Sequence, residues 1–405
     1  MIRKIAAGEL LPGMYVVDLH KRWFEHSSWR SQFLVKDAAH VQKLLADGIR
    51  EVSIDTTRGI DLPASPIARI NDVERKLQSL SLAEIKAAAP RRVSLGEERR
   101  RATRLLSEAS GTVTDLMNAA CAGRDVDAAR LEPIVGKMIE SVMRNPDALV
   151  PLARLKQMDA YATEHAVATA ALIIALGKQQ GLPDPELEKL ALGTLVKDIG
   201  QAALDAKLIA KPGMLSRAEF SLVQSHVEEG LAVLEATTRL SETSVAVVLE
   251  HHERYDGSGY PYRMAGDEIT PVGRMAAIVD TYDAMTSARP YRPALSPSAA
   301  LKQLYGEGGR QFDPELVAAF VKTVGIYPVG TLVLLESGHL AVVDAVHQDN
   351  LLSPVVRVIY HAGRRQYVAP VEVDLARKFG NHYGQIVRAE SYERWGISPL
   401  RWQPA

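Results

Sequence analysis

Six side chains able to hold a divalent metal recur along the middle of the chain: His165, Asp198, His226, His251, His252 and Asp280. Apart from the adjacent pair His251-His252, the gap between one and the next is about a helix and its return loop. A helical bundle builds a core metal site in this way, because short loops bring donors from facing helices together. A mixed nitrogen and oxygen donor set suits iron, manganese, nickel or zinc better than magnesium or calcium. Val245 to Glu250 runs directly into His251-His252, and neighbouring helical positions lie about 100° apart, so both imidazoles can face one centre. A lone histidine is more often an ordinary core or surface residue; the repetition is what points to a metal.

A second group of residues follows at once. Asp256-Gly257-Ser258-Gly259 is a tight turn, in which glycine can bring backbone N–H groups close to an anion. Tyr260 adds a hydroxyl, Pro261 stiffens the exit, and Arg289 and Arg292 flank Pro290-Tyr291 with guanidinium forks that match phosphate oxygens. Taken alone, the turn reads as an ordinary surface loop and the arginines as a basic surface pair. Beside six metal donors, they point to phosphate-ester chemistry.

The elements that must position these residues are mostly helical. The 405-residue length suggests two or three domains. Residues 1–66 mix a strand at Met14–Val17, a helix from Ala38 to Asp47 ended by Gly48, and a strand at Glu51–Ile54, with Trp23, Phe24, His26 and Trp29 as an aromatic mini-core. Leu62 to Pro66 reads as a linker. Residues 67–146 form a charged, helix-prone linker region with helical patterning through Ser107 to Met143 and a break at Asn145-Pro146. Residues 147–325 are almost wholly helical in pattern. Residues 326–405 form a small antiparallel β module, with runs at Leu332–Leu335, Leu340–Val343, Val355–Tyr360 and Val368–Val373. The fold class expected is mainly α: a helical bundle core with a small α+β module before it and a β module after it.

Composition narrows the function classes. The net charge of −1 provides no bulk attraction for a nucleic-acid polymer or a membrane surface. The single cysteine, Cys121, excludes an intramolecular disulfide framework, fits a reducing cytoplasm and reads as a small residue in an alanine-rich helix. The N-terminal segment breaks at Pro12-Gly13 before a signal-peptide core forms, and the apolar window Ala166 to Leu176 is too short to span a bilayer. A cytoplasmic protein is expected.

Over residues 147–324 the chain resembles the HD-GYP family of bacterial metal-dependent phosphodiesterases. The resemblance rests on His165 with Val167, Leu208-Ile209-Ala210-Lys211-Pro212-Gly213, Leu215, His226 with Gly230, HHERYDGSGYP from His251 to Pro261, Asp280 with Tyr282-Asp283-Ala284, RPYR from Arg289 to Arg292, Phe312-Asp313-Pro314 and Leu316-Val317. The small domain ahead of it looks like a module often found before such domains. The resemblance implies an all-helical HD-type core that hydrolyses cyclic di-GMP to pGpG or GMP. His165, Asp198, His226, His251, His252 and Asp280 fall at its metal-ligand positions, and Gly259, Tyr260, Pro261, Arg289 and Arg292 where substrate is held. Two metals would activate a shared water and clamp the transition state of in-line attack on phosphorus.

One stretch departs from the family pattern. Where the family carries His-Asp followed by Ile-Gly-Lys, this chain reads Lys197-Asp198-Ile199-Gly200-Gln201. A protonated lysine has no lone pair for a metal. The departure implies one or two metals per chain, with one position weakened or empty; Lys197 then either sets its ammonium where a cation would be or swings outward and leaves a slow turnover. Gln201 can donate to phosphate but brings no charge, and Tyr161, where some relatives have a carboxylate, makes a third metal unexpected. Two functions follow: a cyclic di-GMP phosphodiesterase, of full or reduced turnover, or a degenerate domain that binds cyclic di-GMP or docks a partner such as a diguanylate cyclase. A nucleotide phosphohydrolase of the wider HD superfamily is disfavoured by the GYP loop. No phospho-acceptor receiver motif is recognisable in either flank, and the oligomeric state is not legible.

Overall fold

A computed structural model of the chain describes residues 2–7, 10, 12–18, 32–46, 49–59, 93–153, 161–209, 211, 213–236, 240–287, 294–347, 349–377, 382–398 and 401–402. The chain divides into two compact units, Met1–Ile85 and Lys86–Ala405.

In the first unit, β1 (Ile2–Ala6), β2 (Tyr15–Asp18), β3 (Phe33–Leu34) and β4 (Glu51–Asp55) form an antiparallel sheet in the order β1-β4-β2-β3, and α1 (Ala38–Ala46) lies between β3 and β4 in sequence. Val16, Val52 and Ile54 of the sheet share a core with Val41 and Leu44 of α1. The two strands and the helix expected from sequence are present, with ends shifted by a residue; β1 and β3 were not expected. The aromatic cluster of Trp23, Phe24, His26 and Trp29, the linker at 62–66 and the charged stretch 67–90 lie outside the described residues.

The second unit opens with α2 (Leu95–Cys121). The Ser94 side chain accepts from the Glu97 N–H at its start, and Ala102, Leu105, Ala109, Val113 and Leu116 form its buried stripe at helical spacing. The unbroken helical patterning expected through Ser107 to Met143 is a point of correction. Gly123 turns left-handed at φ 62°, where glycine carries no Cβ penalty, and the Asp127 carboxylate accepts from the Ala129 N–H to start a new turn. Helix α3 (Glu132–Arg144) follows. Asn145 is extended and Pro146 opens α4 (Pro146–Ala153), so the break expected there is present.

The rest of the helical block comprises α5 (Tyr161–Gln179), α6 (Asp184–Val196), α7 (Ala206–Ile209), α8 (Arg217–Gln224), α9 (His226–Glu235), α10 (Glu242–Glu250), α11 (Pro271–Thr286), α12 (Pro297–Gly306) and α13 (Pro314–Val324). Helix α5 is its axis. Ala166, Val167, Ala170 and Ile174 pack with residues of α2, α3 and α4. Leu172, Ile173 and Leu176 pack with α11, α12 and α13. A helix that is apolar on all sides belongs at the centre of a bundle, which explains why the Ala166 to Leu176 window is so hydrophobic. No helix among the described residues is long and apolar enough to cross a membrane.

After α13 the chain forms β5 (Leu332–Leu335), β6 (His339–Ala345), β7 (Val355–His361), β8 (Gln366–Asp374) and β9 (Ile386–Glu390), antiparallel in the order β8-β7-β6-β5-β9, then a last turn of helix, α14 (Tyr392–Trp395). Strand β9, with exposed Val387 and Arg388, was missed because it lacks the apolar run that marked the other four. Arg99 of α2 ties this sheet to the bundle by donating to the Asp344 carbonyl (2.9 Å) and carboxylate (3.2 Å), and Arg357 shares that carboxylate at 2.6 Å.

Gly200, beside the candidate site, stands tightly against another backbone. The 3₁₀ turn Ile199–Ala203 backs onto α9, and a Cβ on Gly200 would stand 2.0 Å from the His226 carbonyl oxygen and 2.4 Å from the Gly230 nitrogen. Gly200→Ala is therefore expected to destabilise the chain by about 2–3 kcal/mol. Gly136 of α3 has nothing within 4 Å of its virtual Cβ, and Gly136→Ala should stabilise by about 0.5–1 kcal/mol. Urea-denaturation midpoints of the two variants check both; equal midpoints would contradict the packing described.

Candidate metal centre

The candidate ligands converge, mostly from helix ends. His165 lies in the first turns of α5. Lys197 closes α6, and Asp198 precedes the 3₁₀ turn. His226 is the first residue of α9, His251 follows the last residue of α10, and Asp280 lies within α11. His252 continues from His251. All are buried except His252, whose side chain keeps 18% of its exposure.

Two donor sets share one carboxylate. Asp198, His226, His251 and His252 each place a ligand atom within 4.8 Å of the others, and so do His165, Asp198 and Asp280. Asp198 Oδ1 faces the first set, 3.6 Å from His226 Nε2 and 3.9 Å from His251 Nε2. Its Oδ2 faces the second set.

The first set suits a metal on its own geometry. The Nδ1–H of His226 donates to the Val223 carbonyl at 2.6 Å, and that of His251 to the Val248 carbonyl at 2.9 Å. Both Nε2 atoms are then left buried without a hydrogen-bond partner. A backbone carbonyl on one ring nitrogen sets the tautomer and frees the other nitrogen's lone pair, as in metal-binding histidines. Burial, reinforced by the Lys197 charge, pushes the His251 pKa down to about 3. Burial and the neighbouring His251 push His252 well below the ordinary imidazole value. Both imidazoles are neutral near pH 7, the protonation state that binds metal.

The second set already contains a cation. Lys197 Nζ donates to Asp198 Oδ2, lies 2.7 Å from Asp280 Oδ1 and 3.0 Å from His165 Nε2, and is fully buried. Burial opposes its charge, but Asp198 and Asp280 outweigh that penalty and raise its pKa above the ordinary lysine value. Burial likewise opposes ionisation of Asp198 and Asp280, yet the Lys197 charge holds both well below the carboxylate range. His165 Nδ1 lies 2.6 Å from Asp283 Oδ2 and its Nε2 2.9 Å from Asp280 Oδ1. Burial and Lys197 resist its protonation, but these two carboxylates carry its pKa above the imidazole norm. Gln201 does not reach outward; its amide donates to Asp198 Oδ1 at 2.8 Å.

The loop after the histidines folds back over them. Gly259 lies so close to the preceding turn that a Cβ would stand 2.4 Å from the Arg254 nitrogen. The Tyr260 N–H donates to the His252 carbonyl (3.2 Å), and the Tyr260 ring stacks on the His252 imidazole with centroids 4.6 Å apart. The Tyr260-Pro261 peptide is cis. Asp256 braces the turn by accepting from the Ser258 N–H at 3.0 Å and from its hydroxyl. Arg289 and Arg292 lie outside the described residues, and so does the Tyr161 side chain.

Two positioning residues escaped the sequence reading as site residues. Asp283 fixes the His165 ring; its signal was a second acidic residue one turn after Asp280 on the same helix. Glu253 is wholly buried, and its two carboxylate oxygens accept from the N–H groups of Tyr262 (2.7 Å) and Met264 (3.1 Å), pinning the loop beyond Pro261. A charged residue beside His252 and ahead of a turn gave no hint of burial.

An HD domain model matches residues 145–316, and a model of a domain of unknown function matches residues 2–131. The chain is 38% identical over 401 residues to the cyclic di-GMP phosphodiesterase PA4108 of Pseudomonas aeruginosa, covering 99% of this chain and 95% of that protein. It is 36% identical over 148 residues to the cyclic di-GMP phosphodiesterase response regulator RpfG of Xanthomonas campestris, 36% of this chain and 39% of the relative. It is 35% identical over 138 residues to the 3'3'-cGAMP-specific phosphodiesterase 2 of Vibrio cholerae, 34% of this chain and 26% of the relative.

Glu253→Gln keeps the shape but turns an NH₂ toward one of two backbone N–H donors. The unmade bond should cost about 1–3 kcal/mol of loop stability. Amide hydrogen exchange over Tyr260 to Met264 should quicken about tenfold or more while α5 and α11 stay protected; unchanged exchange would remove Glu253 from its bracing role.

Proposed function

The chain belongs to the HD-GYP family, and from that membership we propose that it hydrolyses cyclic di-GMP at the centre formed by Asp198, His226, His251 and His252. The observation that carries this reading is the pair of buried, partnerless Nε2 atoms of His226 and His251, aimed at Asp198 beneath the Tyr260 loop. A divalent metal bound there supplies Lewis-acid activation of the phosphodiester and of the attacking water. The imidazole-rich donor set favours iron, manganese, nickel or zinc.

The chain's own residues account for the rest. The Val223 and Val248 carbonyls hold the two rings in the ligand tautomer. Tyr260, stacked on His252, stands at the more open side of the donor set, where it can meet one end of the dinucleotide. Glu253 and Asp256 keep the Gly259-Tyr260-Pro261 turn in place. Arg289 and Arg292 are proposed to neutralise phosphate charge. Water adds to phosphorus, the P–O3′ bond breaks, and the proton passes to the leaving 3′ oxygen, giving linear pGpG; a second round gives GMP.

The relatives named above are phosphodiesterases, and none favours a catalytically silent binding module. A substrate that diguanylate cyclases produce, together with a single cysteine, fits a cytoplasmic enzyme that acts against such cyclases.

Incubating the purified chain with cyclic di-GMP and Mn²⁺ or Fe²⁺, and resolving products by chromatography, should show pGpG. Chelation should abolish the product and re-addition of metal restore it. His226→Ala and His251→Ala should each lower kcat/KM by about 10²-fold or more. Faster cleavage of 3'3'-cGAMP would reassign the substrate, and no cleavage of either by the metal-loaded chain would overturn the reading.

A further inference from the structure

We propose that the chain carries one divalent-metal site, made by Asp198, His226, His251 and His252, and that the Lys197 ammonium occupies the adjoining His165, Asp198 and Asp280 set as a built-in substitute for a second ion. The inference rests on the reading above that the first set holds a metal.

Three observations support it. The ammonium contacts every donor of the second set: it donates to Asp198 Oδ2, and stands 2.7 Å from Asp280 Oδ1 and 3.0 Å from His165 Nε2. An ion entering that set would have to displace it, because ammonium and dication would otherwise share one buried donor set at strongly repulsive distance. Next, Lys197 has no exposed surface, so displacing it means taking its charge away from both partners while the side chain is still enclosed by protein. Finally, His165 is turned to serve carboxylates on both faces, Asp283 through Nδ1 and Asp280 through Nε2. With Asp283 on Nδ1, only Nε2 faces the set, and the ammonium already stands 3.0 Å from it.

The first set shows the opposite pattern. Its two buried Nε2 atoms have no hydrogen-bond partner, and no ammonium lies among its donors. Asp198 links the sets, with Oδ1 toward the imidazoles and Oδ2 toward the lysine. A dication on one side and an ammonium on the other give the centre a total cationic charge of three, against four for a pair of dications. Lys197 is in this sense a positioning residue: it holds Asp198 and Asp280 ionised and oriented from behind.

The test counts metal ions. The full-length chain is loaded with Mn²⁺ without oxygen, desalted, and analysed by inductively coupled plasma mass spectrometry and by electron paramagnetic resonance. The wild-type chain should hold one ion, with the spectrum of isolated Mn²⁺. Lys197→His, which exchanges the ammonium for an imidazole donor, should hold two and show an exchange-coupled spectrum. Should the histidine variant fail to fold, Lys197→Ala vacates the same set and should take up a second ion at raised Mn²⁺. Two ions or none in the wild-type chain overturns the inference, as does a folded Lys197→His or Lys197→Ala chain that stays at one. Hydrolysis measured on the same wild-type samples keeps the two readings apart. Turnover with two ions sinks this inference and leaves the activity standing, whereas one ion without turnover does the reverse.

Discussion

The centre depends on the mutual compensation of three charges that could not be buried singly. An isolated carboxylate or ammonium in a protein interior costs several kcal/mol even after relaxation. Lys197, Asp198 and Asp280 are all buried, and each is tolerated because the others are in contact. The triad also imposes direction. With one oxygen committed to Lys197 and the other accepting from Gln201, Asp198 can turn only one edge toward His226 and His251. The edge of Asp198 that faces the imidazoles is set by these polar contacts.

Helix ends do the remaining positioning. The last carbonyls of a helix have no intrahelical donor, and here they serve the chemistry. Val223, in the last turn of α8, accepts from the ring of His226, and Val248, in the last turn of α10, accepts from the ring of His251. One arrangement satisfies the backbone and selects the tautomer whose lone pair points inward. The close contact of Gly200 with Gly230 and the His226 carbonyl then sets how near Asp198 comes to α9. Helix α5, apolar on every side, anchors the assembly and delivers His165 to its edge.

Family membership and the altered motif fit together once the centre is seen as two unequal halves. The half with partnerless imidazole nitrogens offers a buried nitrogen and carboxylate donor set of the kind a metal takes. In the other half a lysine ammonium lies among the donors that, in the family pattern, surround an ion. Loss of the motif histidine therefore does not by itself argue for a silent domain, since the positive charge it would have helped to hold is supplied covalently.

Much of this was legible in the sequence. Donor types recurring at helix-and-loop intervals marked His165, Asp198, His226, His251, His252 and Asp280, and the glycine turn ending in Pro261 marked the loop over them, because both depend on local patterns. The helical block and four of the five C-terminal strands followed from periodicity for the same reason. The break at Gly123, strand β9 and strands β1 and β3 did not, since each depends on partners far away in the chain or on a single backbone conformation. Nor could sequence show that Glu253 and Asp283 are buried braces, or that Gln201 turns inward. Residue type could say only that Lys197 has no lone pair to give a metal. Its location at the centre of a donor set was decided by tertiary structure, because contacts among α5, the end of α6 and α11 bring Asp280 and His165 to within 3.0 Å of its ammonium.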